Sequence, residues 1–445
     1  MKKITLLYLF LILISCSSNE EDKISTNKTY EGSVLLTSQQ QVNEFGKEKF
    51  TIINGDLDIM NDPSHWNTKT TSDIYDLSSL NTIEKINGHL NIKENNHLKN
   101  LNGLNSIQEI QGVLGISYNN SLANINGLNS LQKIGSNLAI SRNTFINSFS
   151  GLNNLSEIGG TLKVFDNKSL KSLNGLENLT SIGFDLYIED NSKLNTISGI
   201  SNLSNIGRGI DIRDNDELTT LTGLEKITQI QNLYIGFNLG LQNLSGLKNL
   251  KKVKNSFSLV ENNSISNLID LRSLESLGGY FQIVRNPSLV DINFFKQITF
   301  EKSSSAKVVG NDLLNTINGL KLLAVANNLE IINNPKLQNI DGLKTLASVG
   351  ESIKIQNNET LENLEGLENL SSVEQFYLFN TKISSLNGLE KLNNVKYQLH
   401  ISSNLFLKDF CSITNLVKNG VLGDYITSEN LINPTKNDII NGKCN

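Results

Sequence analysis

One pattern governs this chain. Leu90-x-Ile92-x-x-Asn95 returns as Leu114-x-Ile116-x-x-Asn119, Leu138-x-Ile140-x-x-Asn143 and Leu186-x-Ile188-x-x-Asn191, and it continues to Leu399-x-Ile401-x-x-Asn404. Successive asparagines stand 23 to 25 residues apart. With an earlier copy at Leu57-x-Ile59-x-x-Asp62 there are about fifteen copies. A period this short means that each copy is one turn of a stacked array, because two dozen residues cannot bury a core alone.

Between one asparagine and the next, apolar residues fall at every third position. After Asn167 come Leu170, Leu173, Leu176, Leu179 and Ile182. A period of three fits neither a helix nor a long strand. It fits a coil that winds around a core and dips one side chain inward at each step. A glycine precedes the third of these residues in most copies, as at Gly103, Gly127 and Gly175, and is expected to supply a backbone angle that other residues resist. Leu-x-Ile alternates in and out, so it predicts a short strand. The asparagine then turns inward, where its amide meets backbone groups that the corner leaves unpaired. The expected fold is all-β: a right-handed parallel β-solenoid of about fifteen rungs. Three departures stand out: the copies near 271 and 295 lack the glycine, Thr381 replaces the ladder asparagine, and residues 63 to about 73 are an insertion.

The chain starts with Lys2 and Lys3, followed by an apolar run from Ile4 to Ile14 that is too short to span a bilayer. Leu13-Ile14-Ser15-Cys16 resembles the lipobox of bacterial lipoproteins, in which the leader is cut before a cysteine that then carries lipid. The resemblance implies a leader over 1–15, lipid on Cys16, and anchoring in the outer membrane. The alternative is an ordinary secretory leader with a chance cysteine. Ser17-Ser18-Asn19-Glu20-Glu21-Asp22 is similar to the acidic export tag that carries Bacteroidota lipoproteins to the cell exterior. Residues 16–29 read as a tether. Cys411 and Cys444 remain as an even pair, expected to form a disulfide in an oxidising compartment, the alternative being two free thiols.

Caps are expected at both ends. Over 30–56, Ser38 can start a short helix that Gly46 ends, with Val42 and Phe45 facing the core. Residues 57–406 form the solenoid. Over 407–445 the pattern fades after Leu416, and the cysteine pair staples the tail.

Leu-x-Ile-x-x-Asn followed by Leu-x-x-Leu-x-Gly-Leu-x-x-Leu-x-x-Ile resembles the receptor L domain repeats of the insulin and epidermal growth factor receptors, and bacterial surface proteins that carry the same repeat. The likeness covers residues from about 30 to 445. It implies a leucine-rich solenoid that binds a partner; no ligand-contact motif carries over residue by residue.

Catalysis is not expected. The histidines are His65, His89, His97 and His400, and no two have the spacing of metal ligands. No phosphate loop or nucleophile elbow occurs. Acid pairs such as Glu189/Asp190 and Asp214/Asp216 sit at turns, with weak calcium binding or glycosidase chemistry as the sharper alternatives. No cofactor or metal is expected. The formal charge of −5 lacks the basic face that nucleic acid needs. A monomer with an unknown protein or glycan ligand is the expectation, the alternative being a structural component of the envelope without a specific ligand. Candidate contacts are outward positions of the main sheet: Phe165, Tyr187, Tyr234, Val260, Val284, Val309, Ile332, Tyr377 and Phe379. Val260, Val284, Val309 and Ile332 share one slot in four consecutive copies, which predicts an apolar stripe. The plainer alternative is β-favouring residues laddering on a sheet. Trp66, in the insertion, is either an exposed contact or tucked over the first rung.

Overall fold

The computed structural model describes residues 27–61, 72–293, 299–322 and 324–445, with only the backbone of 299–303. Cys16, His65 and Trp66 lie outside the described residues.

The Leu-x-Ile segments are strands, and they stack in parallel and in register. Leu114 pairs with Leu138 and Leu138 with Leu162, while Ile116, Ile140 and Val164 align beside them. In Leu114–Ser117 and Leu138–Ser141 the Leu and Ile are buried and the residues between and after them are half-buried. One apolar spine therefore runs the length of the array. The sheet is open. Its first strand, Val34–Leu36, pairs with Leu57–Met60, and its last, Asp424–Ser428, pairs with Asn394–Ser402. Neither end strand carries the full repeat signature; added to the copies that the pattern counts, about fifteen, they give the long sheet about seventeen strands.

A second parallel sheet of eight short strands runs beside the first, from Thr29–Glu31 to Asn205–Ile206. Beyond it the two strands of several turns fuse into one, as in Gln229–Gly236, Lys252–Val260 and Ser276–Val284. The change coincides with the end of a glycine column. A Cβ on Gly159 would lie 2.2 Å from the carbonyl oxygen of Gly135, and one on Gly207 would lie 1.9 Å from that of Gly183. In the following turn Gln231 takes that place and the pairing shifts by a bulge between Ile230 and Asn232. A polar cavity of about 190 Å³ opens at this seam, between Asn205–Gly207 and Thr228–Gln231.

The consensus glycines have a different cause from the one expected. Gly103 does hold a positive φ of +108°, but Gly127 does not. Common to both is contact: a Cβ would fall 1.9 Å from the Leu77 carbonyl oxygen at Gly103 and 1.7 Å from that of Leu101 at Gly127. The left-handed residue of each turn lies elsewhere, just before the ladder asparagine. Glu94, Tyr118, Asp190, Phe237 and Glu429 occupy it with φ of 56–60°, a region costing an ordinary residue roughly 1–2 kcal/mol.

Asparagine holds that corner. Asn143 donates from Nδ2 to the carbonyls of Ile116 in the turn before (2.9 Å) and Ser141 in its own turn (2.9 Å), and to Oδ1 of Asn167 in the next (3.3 Å). The pattern is repeated along the array. Ser72 starts it by donating to Oδ1 of Asn95 (2.9 Å), and Asn433 ends it by accepting from Asn430.

The first cap contains α1, Gln39–Lys47, with Ser38 accepting from the Gln41 backbone N–H. Val42 is buried, and Phe45 packs with Tyr30 and Phe50. Gly46 does not end the helix, as expected from sequence; Glu48 is the C-cap. The glycine is there because a Cβ would meet Ser79 at 2.5 Å. At the far end come α2, Thr414–Asn419, the last strand, and α3, Lys436–Ile440, opened by a Thr435–Asp438 capping box. Cys411 and Cys444 are bonded, which ties the tail to the last turns. Among the described residues no helix is long and apolar enough to cross a membrane.

Candidate binding face

The nine candidate residues that the structure describes all lie on the outward face of the long sheet, and all are half-buried. They fall in two columns. Between Leu and Ile the register runs Tyr187, Asp211, Tyr234, and further on Tyr377, His400. After Ile it runs Phe165, Glu189, Arg213, Gly236, Val260, Val284, Val309, Ile332, Gln356, Phe379. The apolar stripe is thus continuous over four strands. Neighbours in a column are separated by the strand spacing of about 4.8 Å, so the four span roughly 15 Å. Among the described residues the α-helices stand at the two ends, α1 near Val34–Leu36 and α2 against α3 and Asn394–Ser402.

At the C-terminal end of this face Tyr377, Phe379 and His400 form one aromatic group. Phe379 meets His400 edge-on at 4.6 Å, and Tyr377 lies 6.0 Å from Phe379. The Tyr377 hydroxyl donates to Gln398 (2.8 Å). Burial depresses the His400 pKa below the usual imidazole range, which favours the neutral ring.

At the other end the aromatic residues alternate with cations, a relationship the sequence reading missed. The Arg142 guanidinium lies 5.0 Å from the ring centres of both Tyr118 and Phe165. Lys163 Nζ is 5.4 Å from Phe165 and 5.1 Å from Tyr187. Arg213 is 5.2 Å from Tyr187 and 5.8 Å from Tyr234, and it donates to the Tyr187 hydroxyl. Cations from the turns before and after thus both lie over Tyr187. The signal was present in the sequence: outward slots hold Lys163 and Arg213 beside the chosen aromatics. It emerges only when charged and aromatic residues are read in the same register.

Carboxylates crowd this end. Asp211 sits between Tyr187 and Tyr234 in the register, with Glu189 and Asp214 nearby. Its pKa is pushed up to about 7, first by burial and then by the charges of Glu189, Asp185 and Asp214. Arg213 Nε approaches Glu189 Oε1 at 3.4 Å and Asp211 Oδ1 at 3.6 Å. Those separations are too long for good hydrogen bonds, and neither Arg213 Nε nor Asp211 Oδ1 has another partner. Burial also raises Glu189 and Asp214. Among the described residues no group of three or more His, Cys, Asp or Glu side chains is arranged to hold a metal ion.

The receptor L domain family model matches residues 50–123 and 132–229. No curated protein matches the chain. Solved structures that are similar include an internalin from Listeria monocytogenes, at 18% identity and a TM-score of 0.39, covering 68% of this chain and 84% of that one. A leucine-rich-repeat protein from Leptospira interrogans is similar at 18% identity and a TM-score of 0.31, covering 94% of this chain and 99% of that one. The match to receptor L domain repeats thus covers residues 50–123 and 132–229, and the later turns continue the same stacked parallel solenoid.

Proposed function

We propose that this protein is a lipoprotein of the outer membrane, anchored through Cys16 and facing the cell exterior, which as a monomer binds another protein on the outward face of its long sheet. Solenoids of the receptor L type are usually binding scaffolds without enzymatic activity. The observation that carries the reading is the outward face itself. A continuous half-buried apolar column, flanked by aromatic and arginine side chains, stands on a sheet whose α-helices, among the described residues, lie at its ends. Aromatic and arginine anchors beside apolar surface are what protein interfaces concentrate. A protein ligand is favoured over a glycan at Tyr187, because Lys163 and Arg213 already cover a ring that a sugar would need for stacking. The Cys411–Cys444 bond is in keeping with an exported protein.

The test is the double variant Val260→Lys with Val309→Lys. Both positions are half-buried on the outer side of the sheet, so the fold is expected to survive, as circular dichroism would verify. The variant is expected to lose a protein partner that the parent retains from host or community extracts. Retention of every partner by the folded variant would remove the reading. Loss of a polysaccharide ligand instead would move it to the glycan class.

A further inference from the structure

We infer that the open edge of the long sheet, strand Asp424–Ser428, is a second docking site, which takes one extended peptide segment of another protein as an added strand. It stands apart from the apolar column around Val284, and neither site depends on the other.

Strand pairing dictates which backbone groups stand free at this edge. Along the array the inward residues bond to the following strand and the outward residues to the preceding one. The Leu90 N–H donates forward to the Val113 carbonyl (2.8 Å), and the Leu114 N–H to that of Asn137 (2.9 Å). At the last strand the register sets Leu399 against Tyr425 and Ile401 against Thr427, and the Ser403 N–H donates to the Ser428 carbonyl (3.0 Å). Asp424, Ile426 and Ser428 therefore turn their backbone groups back to the preceding strand. The N–H and C=O of Tyr425 and Thr427 point out of the sheet, and among the described residues no hydrogen bond meets them. Only the side chains are engaged, the two hydroxyls both donating to the Pro434 carbonyl (3.2 Å each). Two donor–acceptor pairs, two residues apart, match an extended backbone, which brings acceptors and donors at the same spacing.

The surroundings leave room for such a strand. An open groove of about 430 Å³ lies beside this one, lined by Tyr425, Ile426, Thr427, Asn433, Thr435 and Lys436. The usual defences of an edge are missing from the strand itself: it holds no lysine or proline, and its pairing with residues 398–402 runs without a bulge. On the outward side Ile426 continues the column of Tyr377 and His400, so an apolar or β-branched residue of the added strand would lie beside Ile426. Past the end of the strand Leu431 is 59% exposed and Leu405 68%, and the Leu431 N–H donates to the Asn404 carbonyl (3.3 Å), which gives the following residues of the segment an apolar contact. A second copy of this chain is the poorer occupant. Its first strand, Val34–Leu36, offers only Leu35 in the open position, and the next donor in line, the Thr37 N–H, is taken by Gln41 Oε1 (2.7 Å).

The experiment uses the full chain in neutral detergent. The probe is a fluorescein-labelled heptapeptide of alternating threonine and valine, and the control is the same peptide N-methylated at every residue, which leaves it no backbone donors. Fluorescence anisotropy should show saturable binding of the probe and none of the control. Hydrogen exchange at the Tyr425 and Thr427 amides, fast in the free chain, should slow about tenfold or more at saturation. Thr427→Pro removes an edge N–H that the native ladder does not use, and should weaken binding about tenfold or more. Thr427→Val keeps that N–H and loses the hydroxyl, and should bind within about twofold of the parent. So should Val260→Lys with Val309→Lys. Circular dichroism melts would show which variants are folded, and the two peptides on the parent decide the question if the proline variant is not. No saturable binding, equal binding of both peptides, unchanged binding by folded Thr427→Pro, or protected Tyr425 and Thr427 amides in the free chain would overturn the site. Self-association of the parent in sedimentation, abolished by Thr427→Pro, would also overturn it by giving the edge to a second copy. A chain that binds the probe but keeps every partner after Val260→Lys with Val309→Lys would lose the outward-face reading and retain this one.

Discussion

Oδ1 of Asn143 accepts both the backbone N–H of Asn119 (3.1 Å) and its Nδ2 (3.2 Å), one turn earlier. Each ladder asparagine thereby ties its turn to the turns on either side. It satisfies buried backbone groups at the corner where the chain passes through a left-handed residue.

Removing one such link is expected to destabilise far beyond a single hydrogen bond. Asn191 contacts the carbonyls of Val164 (3.1 Å) and Glu189 (2.9 Å), and its Oδ1 receives the N–H of Asn167 (3.1 Å). Asn191→Leu leaves those groups buried and unpaired, at about 1–3 kcal/mol each. Urea unfolding should show a loss of about 3 kcal/mol or more. Asn195→Ala, on the exposed surface of the same turn, should stay within about 0.5 kcal/mol.

Among the described residues Thr381 is the one interruption of the ladder, and it predicts the opposite sign. Thr381 donates to Asn404 from its N–H (3.1 Å) and its hydroxyl (2.7 Å), but it has no amide oxygen to offer Asn358. Thr381→Asn restores that acceptor and should raise stability by about 1 kcal/mol. An unchanged or lower midpoint would show that the local backbone has settled around threonine.

Glycine tolerance should follow contact rather than backbone angle. A Cβ at Gly127 would lie 1.7 Å from the Leu101 carbonyl oxygen, and the neighbouring turn cannot move without disturbing the stack. Gly127→Ala is expected to cost about 3 kcal/mol or more. Gly32 has a positive φ of +108° but nothing within 4 Å of a Cβ. Gly32→Ala should cost only about 1–2 kcal/mol of backbone strain. Thermal melts of the two variants would decide between the explanations.

The sequence made the stacked turns, the inward Leu and Ile, the ladder and the disulfide legible, because each recurs or pairs in a way that has one physical solution. The left-handed corner was hidden because Tyr118, Arg142 and Phe237 fill it; stacking imposes that conformation against local preference. The end strands Val34–Leu36 and Asp424–Ser428 were read only as parts of the caps, since their pairing comes from the neighbouring turn and not from a motif. On the binding face the apolar and aromatic slots were found. Lys163, Arg213 and Asp211 were missed because a charge on an outward slot looks like ordinary solvated surface until its neighbours in register are known.

Asp211 also makes a prediction about pH. Its folded pKa of about 7 lies above the ordinary 3.8. Between those values the folded chain keeps a proton that the unfolded chain releases, so this group's contribution to stability falls as pH rises from about 4 to 7. Asp211→Asn should therefore melt higher than the parent at pH 8, by on the order of 1–2 kcal/mol once solvent screening of the exposed part is allowed for. The advantage should vanish near pH 4.

The central claim is that the partner meets the outward face of the long sheet. Site-specific photocrosslinking tests it most directly, with the crosslinker at Val284 on that face and, separately, at Lys133 on the short sheet. The account predicts a protein adduct from position 284 and none from 133 when the displayed chain meets its partner. Adducts from 133 with none from 284 would contradict it.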